Sequence, residues 1–159
     1  MKLVLLITNR PAWSEGKSMS YTYLEAVKRK NQTVNPLFCF LDARLTRAQD
    51  GKAVIVLPVS DKLRQGGGMV AGGILATISD EAMAHAVLSQ LGPGLATVTA
   101  EMNIRYLRSV DPRQGGSLTA KAKVVKSGQH LCFASAKVHD EQKRLLATAG
   151  ATFYVLHKE

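Results

Sequence analysis

Between Gly66 and Met83 a glycine-rich loop, Gly66-Gly67-Gly68-Met69-Val70-Ala71-Gly72-Gly73, runs into an alanine-rich stretch with two adjacent carboxylates, Asp80 and Glu81, among apolar neighbours. Glycines at a helix entrance let another molecule approach the free backbone N–H groups, and those groups with the helix dipole favour negative charge. A transient oxyanion is one such charge. Asp80 follows Gly73 by seven residues, about two helical turns, so both project from one face together with Thr77. Asp is a poor helix-interior residue, and Ile74, Leu75, Ile78 and Met83 surround it, so partial burial there is costly without a task. Glu81 points about 100° away, and with His85 one turn on it reads as a surface i,i+4 pair. The residues alone leave open whether Asp80 is catalytic or structural.

Other chemistries fit less well. Residues 66–71 formally satisfy a relaxed dinucleotide fingerprint, but Pro58 and a polar stretch separate them from the preceding apolar run and no βαβ unit follows. No Gly-Lys-Ser/Thr follows the glycines, so a nucleotide P-loop is absent. Ser79 and His85 fall on opposite helical faces without a nucleophile elbow, which argues against a serine hydrolase. His85, His130, His139 and His157 lack ligand spacing, so no metal site is expected. Cys39 and Cys132 lie in apolar segments and read as buried structural thiols.

The elements that must hold the glycine loop and the carboxylate can be placed from pattern and size. A chain of 159 residues with 46% hydrophobic content supports one domain with a real core. Residues 1–34 read as an N-terminal extension: a loose segment over 1–18, then a short amphipathic helix carrying Tyr21, Leu24 and Val27 with Lys28-Arg29-Lys30 in its last turn. Residues 35–159 form the main domain. A first strand is expected over Phe38 to Leu45, an Asp50-Gly51 hairpin into Lys52 to Leu57, and a long helix from Gly72 to Gln90. From Gly94 onward the alternation predicts a β-meander, with strands over Ala96 to Tyr106, Leu118 to Lys126, Leu131 to Val138 and Leu145 to Leu156. The result is an α+β domain, one antiparallel sheet of five to six strands around a single long helix.

The net charge of +9 concentrates in residues 105–144, which hold nine Lys/Arg against three Asp/Glu. That half suits a polyanionic partner or a phosphate-bearing small molecule such as coenzyme A, or is simply a solvated basic surface. Nucleic acid is disfavoured, because aromatics are 6% of the chain and Tyr106, Phe133 and Phe153 fall on strands where burial is expected. No apolar run approaches the length of a membrane span or a signal-peptide core, so no membrane partner and a cytoplasmic location are expected.

Three stretches carry a family likeness: Gly72-Gly73-Ile74-Leu75-Ala76-Thr77-Ile78-Ser79-Asp80; Val98-Thr99-Ala100-Glu101-Met102-Asn103-Ile104-Arg105-Tyr106-Leu107-Arg108; and Leu118-Thr119-Ala120-Lys121-Ala122 with Leu146-Ala147-Thr148-Ala149. Through them the chain from about Leu37 to Leu156 resembles hotdog-fold acyl-CoA thioesterases, particularly the phenylacetate-degradation thioesterase group of the hydroxybenzoyl-CoA thioesterase superfamily. The resemblance implies hydrolysis of an acyl-CoA thioester with Asp80 as nucleophile or general base. It further implies that the Gly72 N–H polarises the carbonyl beside Gly73, and that Gln65 stands where an Asn amide commonly holds the water or the carbonyl. Thr99 matches a strand hydroxyl supplied by the partner subunit. The family usually has His where this chain has Ala71. Coenzyme A's phosphates would meet basic residues such as Arg108, Arg113, Lys126 or Lys137. Neither metal nor cofactor is required, and sites between subunits imply a homodimer at minimum, with a tetramer compatible. Ala71 motivates the alternative of a noncatalytic hotdog protein that binds an acyl-CoA or acyl group.

Overall fold

The computed structural model describes residues 19–157 apart from Pro93, so the expected loose segment 1–18 lies outside the described residues. In chain order the elements are α1 (Met19–Val27), α2 (Pro36–Leu41), β1 (Arg44–Gln49), β2 (Lys52–Pro58), α3 (Gly72–Leu88), β3 (Leu95–Tyr106), β4 (Ser117–Ser127), β5 (Leu131–His139) and β6 (Leu145–His157). One six-stranded antiparallel sheet, in the order β1-β2-β4-β5-β6-β3, wraps α3 and gives the hotdog arrangement.

The sheet grips the helix through small side chains. Ala120, Ala122, Ala134, Ala136, Ala147, Ala149 and Ala151 line its inner face, and Ala82 and Ala86 of α3 are fully buried against it. Ile55, Leu57, Leu118 and Phe153 fill the space beside these alanines, each contributing about 1.5–3 kcal/mol by burial. Ser79, buried within this face, donates its hydroxyl to the Leu75 carbonyl at 2.7 Å and so leaves no unpaired group in the core. Leu24 and Val27 of α1 join the same core.

Three expectations are corrected. Residues 36–41 are helical rather than part of a strand. Pro36 sits in the first turn, where its missing N–H costs nothing, and the Asn35 side chain accepts from Phe38 N at 3.1 Å as an N-cap. Lys28, Arg29 and Lys30 lie just past α1 rather than in its last turn. The last four strands are not a simple meander, because β3 pairs with β6, while β4 lies between β2 and β5. Residues 107–116 make that crossing, held by Leu107 N to Leu146 O, Val70 N to Val110 O and Val59 N to Gly116 O. As a result β3 becomes an edge strand lying along α3.

Candidate active site

Inward-facing residues of β3 alternate as Thr99, Met102, Ile104 and Tyr106, with the register shifted by a bulge between Thr99 and Glu101. They form one wall of a groove whose other wall is α3. At one end Tyr106 stands over Gly72: a Cβ at Gly72 would lie 3.3 Å from the Tyr106 Cζ. At the other end Thr99 Oγ1 donates to Asp80 Oδ1 at 2.8 Å. Met102 and Ile104 lie between them, partly buried against the core.

The Gly72 end is built by a tight loop. Gln65 N donates to Met69 O, Gly68 N donates back to Gln65 O, and Gly68 takes φ +89°, a conformation that glycine adopts without strain. Ala71 is the N-cap of α3 and offers no side-chain acceptor, so the N–H groups of Gly72 and Gly73 have no hydrogen-bond partner among the described residues. A cavity of about 390 Å³ lies here, lined by Gln65, Gly72, Leu75, Tyr106 and Arg108 among others. Gln65 Oε1 accepts from Gly67 N. Arg108 Nη1 donates to the Leu145 carbonyl at 2.8 Å, which ties the guanidinium to the start of β6.

Gly73, Thr77 and Asp80 do share one helical face, and the Thr77 hydroxyl donates to Gly73 O at 2.8 Å. Gly72 and Asp80, however, are about 12 Å apart along the axis, from eight residues at 1.5 Å each. An oxyanion donor and an attacking oxygen must both lie about 3 Å from one carbonyl group. Within one chain, therefore, the structure separates the four expected catalytic residues into two pairs, Gln65 with Gly72 and Asp80 with Thr99. Thr99, expected as a hydroxyl that the partner subunit supplies to orient the attacking water, bonds Asp80 of its own chain.

The expected phosphate contacts also divide. Arg108 lies at the Gly72 end. Arg113 is engaged by Asp111 through three side-chain hydrogen bonds, which hold the Asp111 carboxyl below its usual range. Lys137 pairs with Lys121 on the outer face of the sheet, away from α3, and Lys126 stands opposite Phe133 near the far end of β4.

Sequence reasoning missed a second cluster beside the groove. Asn35 Nδ2 donates to the Tyr23 hydroxyl at 3.1 Å and to Glu81 Oε2 at 3.4 Å, while Tyr23 Oη lies 3.1 Å from His85 Nε2. The other ring nitrogen lies 2.6 Å from the Glu81 carbonyl oxygen. An Nδ1–H tautomer satisfies every contact, with Tyr23 donating to Nε2. Phe38 and Tyr23 stack against the imidazole at 5.4 and 5.6 Å. Burial pushes the His85 pKa down to about 4 and raises that of Glu81, with Asp80 adding to the latter. The Glu81–His85 pair is thus interior rather than a surface pair, and it is not ionic at neutral pH because His85 is uncharged. Asn-Pro after a helix was the signal for this cluster, since an N-cap Asn places its amide where α1 and α3 meet.

Other side-chain expectations are corrected as well. Cys39 is exposed, its Sγ lying 3.1 Å from Gln32 O, whereas Cys132 is buried. Tyr106 and Phe133 are 52% and 39% exposed, and only Phe153 of the three aromatics is interior. Among the described residues no cluster of three or more His, Cys, Asp or Glu could hold a metal ion, and no helix is long and apolar enough to cross a membrane.

A single long helix cradled by six antiparallel strands, its N-terminus open to a cleft, defines a hotdog protein with a groove suited to a carbonyl compound. Residues 67–147 match the model of the thioesterase superfamily, from the glycine loop to the start of β6. The chain is 27% identical over 114 residues to the 1,4-dihydroxy-2-naphthoyl-CoA hydrolase of Listeria monocytogenes, covering 72% of this chain and 90% of that one. It superposes with a TM-score of 0.75 on the PaaI protein of the Escherichia coli phenylacetic acid degradation operon, a likeness of fold at 23% identity that covers 89% and 98% of the two chains. It also matches a hypothetical thioesterase protein of Streptococcus pneumoniae solved with coenzyme A, at 25% identity and TM-score 0.67, covering 74% and 90%. This chain belongs to the thioesterase superfamily and is a thioester hydrolase.

Proposed function

We propose that the protein is an acyl-CoA thioesterase that releases a free acid and coenzyme A. The observation that carries this reading is the groove itself: a helix start whose two first N–H groups have no partner among the described residues at one end, and a hydroxyl-bound carboxylate at the other. The relatives named for CoA hydrolysis or solved with coenzyme A support the substrate class.

Asp80 acts as general base on a water, or attacks directly as a nucleophile, with Thr99 orienting the carboxylate. In the base route the carboxylate takes the water's proton as the water oxygen bonds to the carbonyl carbon. The resulting oxyanion is held by the Gly72 N–H, with the Gln65 amide beside it. The tetrahedral species then breaks its C–S bond. A thiolate leaves readily, since thiols ionise near pH 8.5, and neither a metal nor a cofactor is needed. General-base action is worth about 10²–10⁴-fold and one oxyanion donor a comparable factor.

The 12 Å separation favours a site completed by a second copy, the Gly72 end of one chain facing the Asp80 end of the other. β3 supports this arrangement, because it is a 12-residue edge strand without proline, and its free side can pair with a second β3. Arg108, at the Gly72 end, is the best placed of the basic residues for a coenzyme A phosphate.

The test is free-thiol release from a panel of aliphatic and aromatic acyl-CoAs, comparing wild type with Asp80→Asn at matched folding. Release that collapses in the variant is expected. The alternative, a noncatalytic acyl-CoA binding protein, is motivated by Ala71, which brings no polar side chain to the helix start. It requires acyl-CoA binding without thiol release in either protein.

A further inference from the structure

The outer face of the sheet carries an arrangement that the groove does not use. Strands β1, β2, β4, β5 and β6 contain no Asp or Glu, yet they present Arg47, Lys52, Lys121, Lys123 and Lys137 around a depression of about 450 Å³. The register places these cations side by side. Lys52 lies directly opposite Lys123, Lys121 directly opposite Lys137, and Arg47 beside Val54, which in turn faces Lys121. Directly opposed side chains stand about 5 Å apart at Cβ, and like charges in that position destabilise a sheet. None of the five makes an ion pair among the described residues. At one end of the same depression, the buried Nδ1 of His139 has no hydrogen-bond partner among the described residues.

We infer that this face is a binding site for a small molecule bearing linked phosphates, of the pyrophosphate or nucleoside diphosphate class. The two opposed lysine pairs lie one step of about 7 Å apart along β4, so two neighbouring phosphates can each meet a pair while the guanidinium of Arg47 closes one side. Between them the Val54 side chain, on the same outer face, gives an attached organic group a small apolar contact. Anion binding offsets the lysine repulsion. A second copy of the chain is a poor occupant, because matching faces would set cation against cation. The site is also distinct from the thioester groove. It faces away from α3 and centres on β4, three strands from β3.

Calorimetric titration of the full chain with pyrophosphate, ADP, sulfate and coenzyme A tests this, with wild type beside Lys121→Gln/Lys123→Gln. One site per chain for pyrophosphate and ADP is expected, weakened about tenfold or more in the double variant through lost charge-assisted contacts. Asp80→Asn should bind both as wild type does, and acyl-CoA KM should stay unchanged in the double variant. Sulfate binding as tight as pyrophosphate would reduce the face to general basicity and overturn the proposal. So would equal binding by wild type and the double variant. A double variant that loses coenzyme A and raises acyl-CoA KM would instead assign these lysines to the substrate's own phosphates.

Discussion

Asp80 and Glu81 are neighbours in sequence and stand in opposite physical situations. Asp80 faces the groove between α3 and β3, where its partner is a single hydroxyl on an exposed strand edge. Glu81, turned about 100° round the helix, faces a closed cluster in which Asn35, Tyr23 and His85 satisfy one another. The cluster holds the lowered His85 pKa and the raised one of Glu81, while the groove holds the open cavity and the N–H groups that lack a partner among the described residues. Perturbed titration here marks burial of a structural joint between α1, α2 and α3. Access and unsatisfied donors, not shifted acidity, distinguish the side of this helix proposed to carry the chemistry.

That contrast breaks if variants on the two sides behave alike. Asp80→Asn should lower kcat/KM for an acyl-CoA by about 10²–10⁴ through loss of the base, with the melting temperature near wild type. A turnover unchanged by this variant would remove the groove from the chemistry. His85→Ala should cost about 2–4 kcal/mol of stability, by leaving a cavity and an unpaired Tyr23 hydroxyl, with turnover per folded molecule retained. Denaturant unfolding together with active-fraction kinetics checks both halves of that statement.

The cluster also predicts a pH effect. The native pKa of His85 lies near 4, below its ordinary value of 6.5, so the unfolded state binds the extra proton between those values. Stability should therefore fall as pH drops from above 6.5 toward 4, by about 3 kcal/mol in total if His85 acts alone. Glu81 acts with the opposite sign. Its raised pKa stabilises the fold at low pH, a contribution lost as pH rises through the native value. Thermal unfolding across this range, with His85→Phe as the control that should flatten the His85 component, measures the balance. A smaller effect is expected at the groove mouth, where Gly72→Ala forces the Tyr106 ring aside and should lower kcat/KM by about tenfold through misplacement. Glu81→Gln should be the mildest change: Gln still accepts from Asn35, and turnover should stay within about twofold of wild type.

Much of the fold was legible because its signals are local. Glycines before an alanine-rich run marked the start of α3, and alternation marked β4, β5 and β6 to within a residue or two. Residues 36–41 misled because Leu37-Phe38-Cys39-Phe40-Leu41 is apolar throughout and has no period to separate strand from helix; the Asn-Pro cap before it was the deciding clue. In the candidate site, Asp80 and the glycine helix entrance could be picked out by residue type and position, whereas Gln65 is named only through the family resemblance. Their division into two distant pairs could not, because helical periodicity reports the face a residue occupies more readily than its distance along the axis.

The sequence by itself determined the long helix with its uncapped glycine entrance, the alternating strands, the alanines that let sheet and helix approach, and the excess of positive charge. These follow from backbone freedom, side-chain period and charge, all of which act over a few residues. Only the tertiary structure decided that β3 pairs with β6 and becomes an edge, that Thr99 meets Asp80, that Glu81 turns inward, and that five cations from four strands share one face. Each of those depends on which distant segments become neighbours, a choice made by burial of the whole inner face at once.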